Sequence, residues 1–309
     1  MKNNRYNQSL APIVHYQIED AFIYPVKILL SPNDQGVIRN QGKNGSRFAP
    51  KAIVNLLKKQ NNHLGHQANE AILLKDVWKS EFGDQSFENL QKQSSMLIAK
   101  EIEHSSLKSF AHIGGGHDHI FPLLMAIDKC KKYKNVLIIN IDAHCDTRTD
   151  SISHSGTPFR DYDKNGTKPF HLIQYGIHDF ANSASTLTPL NRGSEKKIFH
   201  EELQRLSHNQ TMIPKEMLAS CPFTISNETA VILSLDCDGL SGAQMSAVSS
   251  VNTLGVSLEH TLELIKELKR ISQNKLIFGV YEFNPVFDNL SLLGCKSIVH
   301  LIYEFLKVK

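Results

Sequence analysis

The 309-residue sequence has little cysteine, almost no net charge and no apolar run long enough to cross a bilayer. Its five cysteines, at 130, 145, 221, 237 and 295, are odd in number and contain no CxxC pair. A reducing, intracellular compartment is therefore expected in preference to a disulfide framework. The net charge of +3 is carried by scattered lysines and arginines. It argues against nucleic acid or a polyanionic membrane surface as the partner. The first twenty residues have no apolar signal core, so a cytoplasmic location and no membrane association are expected. Gly114-Gly115-Gly116 is not followed by GK[ST], and a GxGxxG reading fails because His119 stands where glycine is required. No internal repeat, low-complexity tract or linker divides the chain. The expectation is one domain over 1–309, with residues 1–25 as an N-terminal arm.

Short apolar runs alternate with amphipathic stretches along this chain. Val26–Leu30, Ala71–Leu74, Phe110–Ile113, Val136–Ile139, His171–Ile177, Val231–Asp238 and Leu276–Glu282 read as strands. Helices are predicted from Pro50 and over 85–104, 119–133, 195–207, 257–270 and 293–306. Thr147–Asp163 reads as a loop, and 208–229 is left unassigned. This alternation predicts a parallel sheet covered by helices on both faces. Ligands in such sheets bind beyond the carboxyl ends of the strands.

The polar clusters lie at those ends. Asp142, His144 and Asp146 follow the Val136–Ile139 run. In an extended chain their i, i+2, i+4 spacing points them to one face. Buried together, they require a counter-charge, which a divalent metal supplies. The plainer alternative is a polar loop in which Asp142 caps a helix. Asp236 and Asp238 end another strand at i, i+2, and His117 follows the three glycines. Four carboxylates with two imidazoles suit a hard ion, Mn²⁺ ahead of Zn²⁺. Six such donors suit two ions that share bridging carboxylates. Cys145 and Cys237 are expected to face into the packing.

GGGHD at 114–118, DAHCD at 142–146, GTPF at 156–159, SLDCD at 234–238 and EFNP at 282–285 resemble the ureohydrolase superfamily of arginases, agmatinases and formimidoylglutamases. The resemblance implies a three-layer α/β/α fold around an eight-stranded, mainly parallel sheet, with two manganese ions per chain. It implies that His117, Asp142, Asp146 and Asp236 hold one ion. His144 and Asp238 hold the other, with Asp142 and Asp236 as bridges. Glu282 falls where the family holds the amidine or guanidine nitrogens, and a metal-bridging hydroxide attacks the C=N carbon. Asp146 is placed to orient the nucleophile and pass a proton to the departing nitrogen. Trimers or hexamers are implied as well.

Within that superfamily the sequence is most like formimidoylglutamase. The segment Asp34–Asn40 resembles that branch, as do Tyr175–His178 and Asn182-Ser183. Ser155, with His154 before it, stands where arginases and agmatinases place a histidine. Arg148 lies where a cation can pair with a substrate carboxylate; its plainer role is an ion pair with Asp150 or Asp161. Arg148, His154, Ser155 and Glu282 are thus the candidate substrate contacts, and Asp146 and Glu282 the candidate catalytic groups. The implied reaction is hydrolysis of N-formimidoyl-L-glutamate, a small-molecule substrate. The alternatives are an agmatinase, guanidinobutyrase or arginase, or a catalytically silent metal-bound paralogue. Residues 239–256 depart from the family pattern, since Gly239-Leu240-Ser241 replaces the usual Asp-Pro continuation.

Overall fold

The computed structural model describes residues 15–17, 27–61, 70–73, 86–104, 109–207, 218–273 and 275–306. Among these residues, nine strands form one sheet in the order β1-β3-β2-β4-β9-β8-β5-β6-β7. They are β1 His15–Gln17, β2 Lys27–Ser31, β3 Glu70–Leu73, β4 Phe110–Gly114, β5 Asn135–Ile141, β6 Phe170–Ile177, β7 Ser194–Phe199, β8 Thr229–Asp236 and β9 Leu276–Tyr281. All neighbouring pairs are parallel except β1–β3. The mainly parallel sheet is as expected, but it has nine strands where eight were expected, the short antiparallel β1 lying at one edge. Apart from β1, the predicted N-terminal arm lies outside the described residues, as does Leu74 of the predicted second strand.

Strand alternation divides the apolar residues between two cores. Ile28, Leu30, Leu137, Ile139, Val231 and Leu233 pack on one face. There they meet α2 (Ala49–Asn61), α7 (Leu258–Ile271) and α8 (Leu293–Leu306). Leu29, Val136, Ile138, Leu172, Ile232 and Ile277 point the other way, toward α3 (Phe87–His104), α4 (Ile120–Lys129) and α5 (Pro158–Asn165). These strands are apolar on both sides because both sides are covered. The three layers follow from that pattern.

Two expectations are corrected. The helix expected over 195–207 begins only at His200, as α6 (His200–Ser207), and the preceding Ser194–Phe199 is β7. β7 is the last strand of the sheet among the described residues, so one side of its ladder meets no described strand. Its Glu195, Lys196 and Lys197 disguise it as helix surface, yet charge is what protects an edge strand from further pairing. The expected loop Thr147–Asp163 ends in α5, with Pro158 in its first turn, where the missing N–H costs nothing. A short α1 (Gln35–Arg39) also interrupts the loop after β2. No helix among the described residues is long and apolar enough to cross a membrane.

Candidate metal centre

Four adjacent strands, β4, β9, β8 and β5, deliver the candidate residues from their carboxyl ends. After β4 the glycines carry the chain to His117 in a short 3₁₀ turn, His117–His119. A Cβ on Gly115 would lie 1.9 Å from the Asn33 carbonyl oxygen, so only glycine permits this crossing. Asp236 is the last residue of β8. Asp238 lies in the turn that follows, its backbone N–H donating to Asp236 Oδ1 at 2.9 Å. Strand β5 stops at Ile141, and the chain bends through 142–146 instead of staying extended. Asp142, His144 and Asp146 therefore converge through a bend, with Asp146 at φ 50°, and not through strand alternation as the spacing suggested.

The six residues form two adjoining groups. His117, Asp142, Asp146 and Asp236 each offer a ligand atom within 4.8 Å of the others, as do Asp142, His144 and Asp238. His117 Nδ1 lies 2.7 Å from Asp146 Oδ2, 3.2 Å from Asp236 Oδ2 and 3.3 Å from Asp142 Oδ2. His144 Nδ1 lies 3.3 Å from Asp238 Oδ2 and 3.4 Å from Asp142 Oδ1. Asp142 is common to both groups, one oxygen toward each. Asp236 falls in the first group only. On the far side of its ring, His117 Nε2 is 2.9 Å from Ser234 Oγ, which leaves Nδ1 to face the carboxylates.

So many acids in a buried space disturb one another's charge. Burial, then the charges of Asp238 and Asp142, pushes Asp236 well above the carboxylate range. Burial and the neighbouring Asp142 lift Asp146 to about 6. Burial also raises Asp238, against the pull of His144. Burial alone would strip His117 of its proton, but hydrogen bonds to Asp142, Asp146 and Asp236 outweigh it and hold the ring well above its ordinary value. His144 is raised chiefly by Asp238. The shared cause is crowded, buried negative charge, which a bound cation would relieve. Asp238 Oδ1 is buried with no hydrogen-bond partner among the described residues, which is costly for a carboxylate oxygen unless a cation reaches it. Oxygen donors with two imidazoles fit a hard or borderline divalent ion.

Four of the six, His144, Asp146, Asp236 and Asp238, line a cavity of about 470 Å³, in the range of small-molecule sites. Glu282, just past β9, lines it; its Oε1 accepts the His117 backbone N–H at 2.9 Å, and burial raises its carboxyl well above the usual range. Arg148 and Ser155 also line it. Arg148 donates to Asn40 Oδ1 at 2.7 Å and pairs with Asp150 at 2.6 Å, while Ser155 Oγ accepts from Asn40 Nδ2 at 3.1 Å. His154 is not among the lining residues. Its Nδ1 accepts from the Gly156 backbone N–H, so its Nε2–H donates to Asp150 Oδ2 at 2.8 Å. The sequence reading did not single out Gln41 and Lys43, which also line the cavity. They lie on the Gly- and Asn-rich loop after α1, and that composition was their only signal. Of the five described non-glycine residues at positive φ, Gln41, Asp146 and Glu282 line this cavity. Such strain concentrates at functional sites.

A profile of the Arginase family matches residues 25–306. The chain belongs to the arginase family. Among curated relatives, a formimidoylglutamase of Staphylococcus aureus is 30% identical over 278 residues, covering 89% of this chain and 83% of its own. One from Photorhabdus laumondii is 26% identical over 292 residues, covering 94% and 87%. Among solved structures, a Trypanosoma cruzi formiminoglutamase variant with manganese superposes at a TM-score of 0.72, with 18% identity and 92% of each chain covered. An arginase from Bacillus subtilis gives 0.69 at 20% identity, covering 93% of this chain and 99% of that one. At such identities the structural likeness carries the fold. With the family established, the chain is an arginase-family hydrolase of amidine or guanidino C–N bonds.

Proposed function

We propose that this hydrolase is a manganese-dependent formimidoylglutamase, converting N-formimidoyl-L-glutamate and water to L-glutamate and formamide with two ions per chain. The observation that carries the reading is the pair of metal-type groups sharing Asp142, whose His144, Asp146, Asp236 and Asp238 line a cavity together with Lys43 and Arg148. A positively charged rim over an acidic floor suits a substrate with an amidine at one end and carboxylates at the other. The formimidoylglutamase relatives support the same choice.

His117, Asp142, Asp146 and Asp236 would hold one ion, and Asp142, His144 and Asp238 the other. The bound pair supplies positive charge against the developing negative charge and makes water nucleophilic near neutral pH. Glu282 accepts hydrogen bonds from the amidine nitrogens and fixes the planar carbon over the acidic floor. The water oxygen bonds to that carbon and the bond to the glutamate nitrogen breaks. Asp146 orients the water and passes its proton to the departing nitrogen. Arg148 holds a substrate carboxylate, with Ser155 beside it. Its pair with Asp150 does not oppose this: the arginine is 45% exposed, and such pairs contribute only about 0–1 kcal/mol.

The test is direct. Purified protein loaded with Mn²⁺ releases formamide from formimidoylglutamate. Release of urea from arginine or agmatine would move the chain to a neighbouring member of the family. A second reading is favoured by the departure of residues 239–256 from the family pattern, because Ser249 and Ser250 of that loop line the cavity. On that reading the chain binds metal and ligand without turnover. Stoichiometric manganese with no hydrolysis of any of these substrates would select it.

A further inference from the structure

Parallel strands buried on both faces are ordinarily apolar throughout, because a polar side chain there must find every partner inside the protein. On the α3–α4–α5 side of this sheet the rule holds for two rows and then breaks. Going toward the carboxyl ends, β5 reads Val136, Ile138, Asn140, Asp142, and β8 reads Ala230, Ile232, Ser234, Asp236. On β6 the sequence is Phe170, Leu172, Gln174. Gln174, Asn140 and Ser234 are register partners, so they make one polar row across three strands, directly beneath the acids. All three are completely buried.

Two members of the row, Asn140 and Gln174, are joined to each other and reach Asp142, while Ser234 bonds separately to His117. Asn140 Nδ2 donates to Asp142 Oδ2 at 3.2 Å and to Gln174 Oε1 at 3.0 Å. Gln174 Nε2 donates in turn to the Cys145 carbonyl at 2.6 Å and to Glu195 Oε1 at 3.3 Å. Glu195 is paired with Lys197. The orientation of the Asn140 amide is fixed by this arrangement. Turned over, it would set its oxygen against the Asp142 carboxylate and against the oxygen of Gln174. In the orientation adopted, Asn140 Oδ1 has no partner among the described residues, so toward them the side chain serves as a donor. Asp142 Oδ1 is held separately, by the His144 backbone N–H at 2.7 Å. The one carboxylate common to both groups therefore has each oxygen tied by its own donor.

We propose that Asn140 is a positioning residue, held by Gln174, which locks the Asp142 carboxylate plane so that its two oxygens face the two metal groups at once. The inference rests on the metal reading proposed above. Asn140 touches neither substrate nor any candidate ion; it acts through Asp142. Groups of this kind that orient a ligand from behind commonly change metal affinity by about 10–100-fold when removed.

Asn140→Leu tests this, since it keeps the bulk and removes the donor. Mn²⁺ binding is followed through the free-ion electron paramagnetic resonance signal, and thermal unfolding of the metal-free protein is recorded in parallel. The wild type binding two ions is the reference, and failure of the wild type to bind manganese would sink the metal reading itself. With that reference met, Asn140→Leu should bind manganese at least about tenfold more weakly, while the metal-free Tm stays level or rises. Equal affinity in the variant overturns the positioning role and leaves the metal reading standing. A lower metal-free Tm with unchanged affinity would show that the asparagine serves the fold alone. Gln174→Met removes the acceptor that pins Asn140. It should give a smaller loss of affinity in the same direction, and it decides the matter should Asn140→Leu not fold; unchanged affinity there counts equally against the proposal.

Discussion

The ring of Tyr281 lies stacked on that of His117, centroids 5.2 Å apart and planes 29° from parallel. The Tyr281 hydroxyl reaches His112 Nδ1 at 3.0 Å, and His112 Nε2 reaches Ser31 Oγ at 2.9 Å. The candidate metal ligand thus rests on an aromatic plate, and a fully buried histidine anchors that plate. Burial, reinforced by His119, lowers the His112 pKa to about 3. The unfolded chain takes up the proton near pH 6.5, so in this window the unfolded state holds more protons than the folded one. The His112 contribution is complete above about pH 6.5 and is lost as pH falls toward 3, at up to about 1.4 kcal/mol per pH unit. Urea unfolding of metal-free protein at several pH values, wild type against His112→Gln, should show this slope in the difference. A pH-independent difference would contradict it. Tyr281→Phe should keep the stacking and cost about 1–3 kcal/mol by stranding the histidine nitrogen.

Metal counting separates the two groups. Asp142 belongs to both, so Asp142→Ala should leave neither ion bound and abolish turnover. Asp236→Ala should also lose metal and activity together, through the four-residue group. Elemental analysis after manganese loading and desalting checks both. Two ions retained in Asp142→Ala would refute the sharing of that carboxylate.

Arg148 and Lys43 should govern recognition and leave the chemistry alone. Arg148→Ala is expected to raise KM for formimidoylglutamate about tenfold or more, with kcat changed little, since a charge-assisted hydrogen bond contributes about 1.5–3 kcal/mol. Lys43→Met should act in the same sense. Steady-state kinetics decide, and an unchanged KM for both variants would remove the carboxylate-binding role.

Glu282→Gln should keep manganese, because Glu282 stands in neither metal-type group. Its backbone N–H to Gly115 O, 2.7 Å, does not depend on the side chain. Loss of the anionic anchor for the amidine should lower kcat about 10²-fold or more. Full metal content with near-normal kcat would exclude a catalytic role for this carboxylate.

Much of this was legible before the structure. Apolar runs such as Val136–Ile139 marked the central strands because burial on both faces favours apolar side chains along most of their length. The helices at 257–270 and 293–306 fell within a residue of α7 and α8. The six candidate ligands were legible because acids at strand ends have no structural reason to cluster. Strand β7 was hidden because a protected edge imitates a helix surface. The bend through 142–146 was hidden too, since spacing alone cannot register an Asp146 backbone in the left-handed region. Lys43 escaped notice because only the folded chain brings it to residues more than a hundred positions away. The polar row escaped as well: Asn140, Gln174 and Ser234 are unremarkable singly and become a unit only through the register of β6, β5 and β8.

Gln41, Asp146 and Glu282 hold a backbone shape that most side chains resist, at about 1–3 kcal/mol each. Glycine at any of the three would relax the chain, and two of those substitutions would delete a proposed catalytic group. Selection for thermostability and selection for turnover should therefore pull in opposite directions at these positions. A more heat-resistant descendant of this protein is best sought at sites away from the cavity wall.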